Sequence, residues 1–417
     1  MAGVGGHSPF HALTLRDYRN HPFVIHGLKE VIELTSEERR EVRYQRRKLR
    51  RRKHRERLKD FDDFDKVFSY EHLYHSYRMC RKGVAWKSSV QKYITQAPLN
   101  IYTTYKRLQD GTYRSSGFHE FDIVERGKKR HIKSVTMSER VVQRCLCDYA
   151  LTPVLKRTFI YDNGACQTGK GYSFARNRLI YHLRKHIRKY GTEGYVLLFD
   201  FSKFFDNVSH AVVKAILKRE FSDRKIRGLL HHFIGMFGNK GLGLGSAISQ
   251  NLALASANRL DHYIKEVCRI KGYGRYMDDG YLIHPSKEYL KMCLNQIRRI
   301  CKELGIVLNE KKTQIVKLSH GFTWLKVRFH ITKTGHVIRK MHKKSVAKMR
   351  QKLKKFKHML DQGIMSMNDI YTSWQSWRAY ARNFDAYQTI KNMTELYNEL
   401  FINNWINGGD HERLRTD

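Results

Sequence analysis

Tyr273-Gly-Arg-Tyr-Met-Asp-Asp-Gly-Tyr-Leu-Ile-His284 is the stretch around which this chain is organised. Two adjacent carboxylates, Asp278 and Asp279, sit between aromatic and β-branched runs, and Gly280 follows at once. Asp and Gly are turn residues and the flanks favour strand, so the pattern predicts a β-hairpin whose tight turn thrusts the acids out of a sheet. Adjacent like charges repel unless a cation neutralises them. The pair therefore reads as a ligand set for Mg²⁺, which takes hard oxygen donors and keeps substrate phosphates in its shell. Taken alone, Asp-Asp-Gly reads more readily as a solvated acidic turn; the rest of the chain reverses that choice.

At 417 residues the chain is too long for one small core, and two or three subdomains are expected. It carries 80 Lys+Arg against 39 Asp+Glu, a formal net charge of +41. A compact protein so charged repels itself unless a polyanion sits against it. Nucleic acid is the obvious polyanion, because each phosphate contacted releases condensed counterions; a membrane surface is the weaker alternative. No apolar run approaches the roughly 18 residues that span a bilayer, and no secretory h-region opens the sequence. The seven cysteines are odd in number, scattered and form no CxxC, so neither a disulfide framework nor a zinc site is suggested. His182 and His186 are four apart without the glutamate of a zinc-protease helix, and are read as part of a basic helix face. The expectation is a reduced, cytoplasmic, nucleic-acid-binding protein.

Along the chain, Thr35 with Glu38 forms a capping-box pattern that opens a helix of some two dozen residues. From Ser36 to Lys59 it holds 13 Lys+Arg and four Glu, with basic residues on every face. Such a helix buries no ordinary apolar stripe; an arm along nucleic-acid phosphates, ordered on binding, suits it better than a solvated linker. Residues 61–82 and 84–104 read as amphipathic helices, with Leu73, Tyr74, Tyr77 and Met79 as candidate core. His119–Val124 alternates like a strand, Glu125–Arg130 reads as a basic turn, and a second strand covers His131–Val135. Lys and Arg there suit a grip on a triphosphate. A Gly-rich segment and a basic helix (174–190) lead to the apolar strand Tyr195–Phe199, which ends on Asp200. Gly241-Leu-Gly-Leu-Gly-Ser246 feeds a helix from about Ser249, but its spacing is that of neither a dinucleotide nor a Walker loop. A helix over 287–304, strands over 323–330 and 336–340, and a helical remainder from Lys343 complete the pass.

An acid at a strand end plus an acid pair on a hairpin turn can share two cations. That suits nucleotidyl transfer, where one ion lowers the pKa of a primer 3′-hydroxyl and the other holds the triphosphate. Here Tyr276-Met-Asp-Asp279 resembles the active-site motif of reverse transcriptases, and other blocks agree in order. Phe199-Asp-Phe-Ser-Lys-Phe-Phe-Asp206 resembles the palm block with the first catalytic acid; Phe205 matches the aromatic that screens against a ribose 2′-hydroxyl. Lys128–Ile132 with Glu139–Gln143 resembles the fingers block, Leu304–Thr313 the palm block whose lysine (Lys312) approaches the leaving group, and Phe322–Phe329 the primer-grip hairpin.

The resemblance implies an α+β right-hand polymerase with fingers (61–190), a palm (191–330) and a basic helical thumb (331–417); the basic arm (1–60) lies outside that resemblance and is expected to hold a cognate structured RNA. It implies Asp200, Asp278 and Asp279 as catalytic acids, these with the Phe201 carbonyl as Mg²⁺ ligands, and Lys129, Arg130, Phe205, Gly245, Ser249, Gln250 and Lys312 as nucleotide-binding residues. An RNA template, a DNA or RNA primer and dNTPs follow, with a cognate structured RNA and a small accessory protein as further partners. Two departures stand out. Leu244-Gly-Ser-Ala-Ile-Ser-Gln250 is similar to the loop of diversity-generating retroelement enzymes, where it accompanies error-prone copying, and Lys326 stands where the primer grip usually has glycine. A defence-associated enzyme copying its own RNA, or priming from a protein, is the alternative; a non-catalytic RNA-binding subunit would have no need of three acids.

Overall fold

The computed structural model describes residues 35–403 except residue 126; some side chains, that of Arg130 among them, also lie outside the described set. The expectations for residues 1–34 and 404–417 fall outside it too. The chain divides into two units between Asp60 and Phe61. The first is the helix α1 (Ser36–Leu58), opened by the expected capping box: Glu38 N–H donates to Thr35 Oγ1 (3.3 Å) and Thr35 N–H to Glu38 Oε2 (2.7 Å). Its described side chains are exposed apart from half-buried Val42 and Leu58, as basic residues on every face dictate.

The second unit opens with α2 (Tyr70–Arg81) and α3 (Ala97–Gln109), followed by the hairpin β1 (His119–Glu125) and β2 (Lys128–Ser134) and by α4 (Met137–Leu146). In α2, Leu73 and Tyr77 are buried as expected, but Tyr74 and Met79 lie on the outer face, 42% and 39% exposed. The hairpin also departs from expectation. β2 begins at Lys128, so Lys129 and Arg130 are strand residues opposite Val124 and Ile123, not turn residues. The antiparallel register runs through to Glu125↔Lys128, so backbone pairing carries the ladder into the basic run.

Next come α5 (Tyr172–Tyr190), β3 (Tyr195–Asp200), α6 (His210–Glu220), α7 (Arg224–Gly235), α8 (Ala247–Ser256), β4 (Tyr273–Tyr276), β5 (Asp279–His284), α9 (Lys287–Leu304) and β6 (Gln314–Lys317). β3 to β6 form one antiparallel sheet in the order β4-β5-β3-β6. Successive residues of β3 face opposite sides, and both sides are covered: Leu197 and Phe199 join the core shared with the preceding helices, while Val196 and Leu198 join a second core beneath. A strand buried on both faces has no polar side, which is why it reads as an unbroken apolar run. Across it, α5 lays Ala175, Leu179, His182, Leu183 and His186 onto the second core at helical spacing.

A smaller sheet follows, β7 (Phe322–Trp324), β8 (Val327–Ile331) and β9 (Val337–Met341), then α10 (Lys343–Asp361), α11 (Met367–Ala381) and α12 (Tyr387–Asn398). The expected strand 323–330 is thus a hairpin turning at Leu325-Lys326, and residue 330 lies within β8, which pairs along its length with β9. Trp374 stacks between Trp377 and Tyr397 (5.2 and 4.9 Å between ring centres) and locks the last helices together. Among the described residues no helix is long and apolar enough to cross a membrane, and all seven cysteines are unpaired.

Candidate active site

The β4–β5 hairpin forms as its sequence predicts, with a two-residue loop, Met277-Asp278, and Tyr276 opposite Asp279. The left-handed position of that loop is Met277 (φ +54°), not a glycine. Gly280 serves a different purpose. It lies in β5 opposite Phe199, where a Cβ would sit 2.2 Å from the Phe199 ring. Only the residue without a side chain lets β5 lie against that ring.

β3 delivers the third acid. Asp200 is its last residue and the cross-strand partner of Asp279. Beyond it the backbone is tied on both sides: Phe201 N–H donates to Asp278 O (3.1 Å), Ser202 N–H to Val307 O (2.7 Å), and Asn309 N–H to Asp200 O (2.8 Å). Three carboxylates from two segments 78 residues apart in sequence therefore gather at one end of the sheet. Asp200 is 6% exposed, and the other two are half-buried. Burial pushes the Asp279 carboxyl up to about 7, with the charges of Asp278 and Asp200 adding to it. Asp278 is raised as well, by burial and then by Asp200.

Two groups answer this charge. Lys312 Nζ lies 2.8 Å from Asp200 Oδ2, and Asn309 Nδ2 donates to Asp200 Oδ1 (3.1 Å). Burial works against the Lys312 ammonium, but its bond to Asp200 and the other two carboxylates outweigh this and hold its pKa above the usual lysine value. One ammonium against three carboxylates leaves a net anionic pocket. Among the described residues no cluster of three or more acidic, His or Cys side chains is drawn tightly enough to cage a metal by itself. Mg²⁺ does not require one, since it keeps several waters and binds one or two carboxylates plus substrate phosphates. The hard oxygen donors present, short of counter-charge, fit that ion.

The remaining expected residues lie on the turn after β3, on the glycine-rich loop and the start of α8, and on the β1–β2 hairpin. Phe205 is half-buried just after β3, and its carbonyl accepts Leu242 N–H (2.8 Å), so the glycine-rich loop docks directly on this turn. Gly241, at φ +82°, packs so close that a Cβ would lie 2.7 Å from Asp206 O. The loop then passes the β1–β2 hairpin, with Gly245 (φ +108°) beside the Lys133 carbonyl and the Ile132 side chain. Gln250 is exposed, its Oε1 accepting from Cys166 Sγ (3.5 Å), whereas Ser249 is fully buried with a hydroxyl that has no partner among the described residues. Lys129 is exposed on the hairpin and pairs with Asp122 (2.9 Å); Arg130 is described by its backbone alone. The structure thus brings Asp200, Phe201, Asp278, Asp279 and Lys312 together, docks the glycine-rich loop on Phe205, sets Gly245 beside the β1–β2 hairpin and keeps Ser249 inside.

Sequence reasoning missed the supports of this site. His182 and His186 are not a basic face: both are buried, His182 Nδ1 sharing a hydrogen bond with Tyr281 OH (2.9 Å) and His186 Nε2 lying 2.8 Å from Glu193 O. Asp162 gathers Arg178 (2.5 Å), Lys265 (2.8 Å) and His182 (3.5 Å) behind the hairpin. Arg275 is fully buried against Asp261. A fourth chain of contacts, Ser116 to Glu139 to Gln143 to Ser246, fastens α4 to the glycine-rich loop. The one sequence signal was a charged residue, Arg275, inside an otherwise apolar and aromatic strand.

The family model described as reverse transcriptase (RNA-dependent DNA polymerase) matches residues 119–329, from the first fingers strand to the β7–β8 hairpin. Protein YkfC of Escherichia coli (strain K12) is 24% identical over 250 residues, 48% of this chain and 62% of that protein, so the chain spans under two thirds of its relative. Among solved structures, the chain is similar to apo telomerase from Candida tropicalis truncated from its C-terminal domain, with TM-score 0.41, 16% identity, and 54% of this chain against 55% of that one. It is also similar to telomerase from Candida albicans in complex with a fragment of telomeric RNA, with TM-score 0.43, 12% identity, and 68% against 54%. The family match covers half of the chain, every strand from β1 to β7 and the start of β8. The chain belongs to the reverse transcriptase (RNA-dependent DNA polymerase) family, and its α+β fold is a right-hand polymerase fold.

Proposed function

We propose that this chain extends a primer 3′-hydroxyl with dNTPs on an RNA template, with Asp200, Asp278 and Asp279 as the catalytic carboxylates and Mg²⁺ as the cofactor. The observation that carries the reading is the meeting of three carboxylates at one sheet end with a single opposing ammonium. Nothing structural benefits from that arrangement, since it raises two of the three pKa values. Asp200 and Asp278 would hold the ions, with the Phe201 carbonyl assisting and Asp279 adding charge. Bound there, Mg²⁺ supplies Lewis acidity toward the 3′-hydroxyl and the triphosphate. The chain's own work is positioning. β3 and β5 fix the carboxylates, and Phe205, on the turn just after β3, would screen against a ribose 2′-hydroxyl. Lys312 exchanges Asp200 for the charge of the departing pyrophosphate, while Lys129 and Arg130 on the fingers hairpin neutralise the triphosphate. The basic helix α1 would lie along a cognate structured RNA in the reduced cytoplasm, and a small accessory protein would add to the assembly.

The finer reading is an error-prone copier of the retroelement type, with a defence-associated enzyme as the alternative. Half-buried Leu244, next to Gly245 at the fingers hairpin, supports the first by loosening the check on the templating pair. Primer extension on a defined RNA template with each dNTP or rNTP set, beside Asp278→Asn, tests the activity. Products dependent on dNTPs and absent from the variant are expected; equal products from the variant refute it. Leu244→Gln should lower misincorporation opposite adenine, read by sequencing the products, and an unchanged error spectrum removes the error-prone reading.

A further inference from the structure

Arg275 is the third residue of β4 and is 0% exposed. A guanidinium does not shed its proton, so complete burial obliges the fold to surround it with acceptors. Nε donates to Asp261 Oδ1 (2.8 Å) and Nη2 to Asp261 Oδ2 (2.6 Å) and Leu254 O (3.2 Å). Asp261 is equally buried and takes the Tyr273 hydroxyl as well (2.5 Å). The remaining arm, Nη1, donates to Met277 O at 2.6 Å.

That last bond reaches the turn that carries the acids. Met277 sits at φ +54°, a left-handed conformation that a side chain disfavours, and a short charge-assisted bond to its carbonyl holds it there. The Met277 carbonyl belongs to the peptide immediately before the Asp278 Cα. The peptide immediately after it is pinned too, by Phe201 N–H on the Asp278 carbonyl (3.1 Å). With both flanking peptides fixed, the direction in which Asp278 leaves the backbone is fixed. The strand edge is held in turn: Arg275 N–H donates to Asp162 O (3.2 Å) and Gly164 N–H to Arg275 O (2.9 Å), and Asp162 is itself anchored by Arg178 and Lys265.

We propose that Arg275 is a positioning residue: by clamping the Met277 carbonyl it aims the Asp278 carboxylate at the space beside Asp200, and so sets the affinity of the site for a divalent cation. This rests on the reading of Asp278 given above. An apolar side chain at 275 would fill the volume but leave the Met277 carbonyl unheld. A lysine would keep the charge, yet its single ammonium lacks the fork that serves Asp261 and Met277 together.

The test uses the full chain as Arg275→Lys and as the double variant Arg275→Met/Asp261→Leu, with Asp278→Asn alongside. Buried ion pairs replaced by apolar pairs of similar volume are often neutral in stability, so the double variant is expected to fold, with a melting temperature lowered only by the partners lost to the Tyr273 hydroxyl and the Leu254 and Met277 carbonyls. Its Mn²⁺ affinity, followed by electron paramagnetic resonance, is expected to fall about tenfold, and its kcat for primer extension about a hundredfold with KM for template–primer nearly unchanged, as for misplaced catalytic groups. Arg275→Lys is expected to show the same split at smaller size. If the ion pair is merely structural, the folded double variant keeps parental Mn²⁺ affinity and kcat whatever its melting temperature, and the proposal is overturned. Should the double variant fail to fold, parental Mn²⁺ affinity and kcat in folded Arg275→Lys overturn it equally. Asp278→Asn separates the two layers: if it binds Mn²⁺ and extends primers like the parent, the reading of the site falls and takes Arg275 with it. If it is inactive while the double variant is parental, only the role of Arg275 falls.

Discussion

Gly280→Ala is a one-methyl change whose effect follows from the geometry of β5. The added Cβ would lie 2.2, 2.5 and 2.7 Å from three carbons of the Phe199 ring, where carbon atoms rest about 3.5–4 Å apart. The ring has nowhere to go: Phe199 is 2% exposed and packed between Phe201 (5.4 Å between centres) and Tyr273 (6.4 Å). The strands must therefore part by about 1 Å, at the residue pair next to Asp200↔Asp279. Overpacking of this kind costs about 1–3 kcal/mol, and for a domain of this size each kcal/mol lowers the melting temperature by roughly 2–4 °C. The catalytic cost is expected to be larger, on the order of a hundredfold in kcat, because a 1 Å displacement of a positioned group has that effect. Thermal melts and primer extension on one RNA template read the two losses separately. Adding Phe199→Leu makes room for the methyl and should recover part of both. Gly280→Asn discriminates further, since asparagine would be tolerated if Gly280 were a turn residue. Parental melting temperature and kcat in Gly280→Ala would refute the close-approach argument.

Two more predictions concern stability. Burial alone would raise the Asp162 carboxyl, but His182, Lys265 and Arg178 outweigh it and hold its pKa far below the usual range. A depressed folded pKa contributes stability that is fully present above the unfolded value of about 4 and is lost as pH falls through the folded one. The parent should therefore melt well above Asp162→Asn at pH 7, with the gap narrowing steadily below about pH 4; a gap constant from pH 7 to pH 3 contradicts this. Lys326, at φ +64°, pays for its side chain with a left-handed backbone in the β7–β8 turn. Lys326→Gly removes about 1–2 kcal/mol of strain against about 0.5–1 of added chain entropy. A small rise in melting temperature is expected, and a fall would show that the lysine makes a contact worth more than the strain.

Much of the site was legible because its chemistry is local in sequence. A two-residue hairpin loop needs only residues 276–279, and a strand buried on both faces announces itself as Tyr195–Phe199 without a polar position. Both depend on neighbours in the chain, so pattern alone recovers them. The order of blocks around them carried the rest of the family resemblance. The charged fingers hairpin was legible in kind but not in extent, because strand pairing carried the ladder into a run that composition marks as turn.

What tertiary structure alone decided is which residues face which. Gly280 looks like turn chemistry from its neighbours, yet its role is set by Phe199, 81 positions earlier in the chain. His182 and His186 share a helix with many cations, and only the packing of α5 beneath the sheet turns them inward to Tyr281 and Glu193. Asp261 and Arg275 are two ordinary charges in sequence; removed from water together, they become a clamp on the turn. Like charges were brought to one point and buried by pairing β3 with β5, and the cost, carried in the carboxyls of Asp278 and Asp279 raised first by burial and then by their neighbours' charge, exists only in the folded chain. Sequence determines which groups are present and which local shapes they prefer. Burial and long-range pairing determine their electrostatics, because a charge acquires its partners and its desolvation only when distant segments close around it.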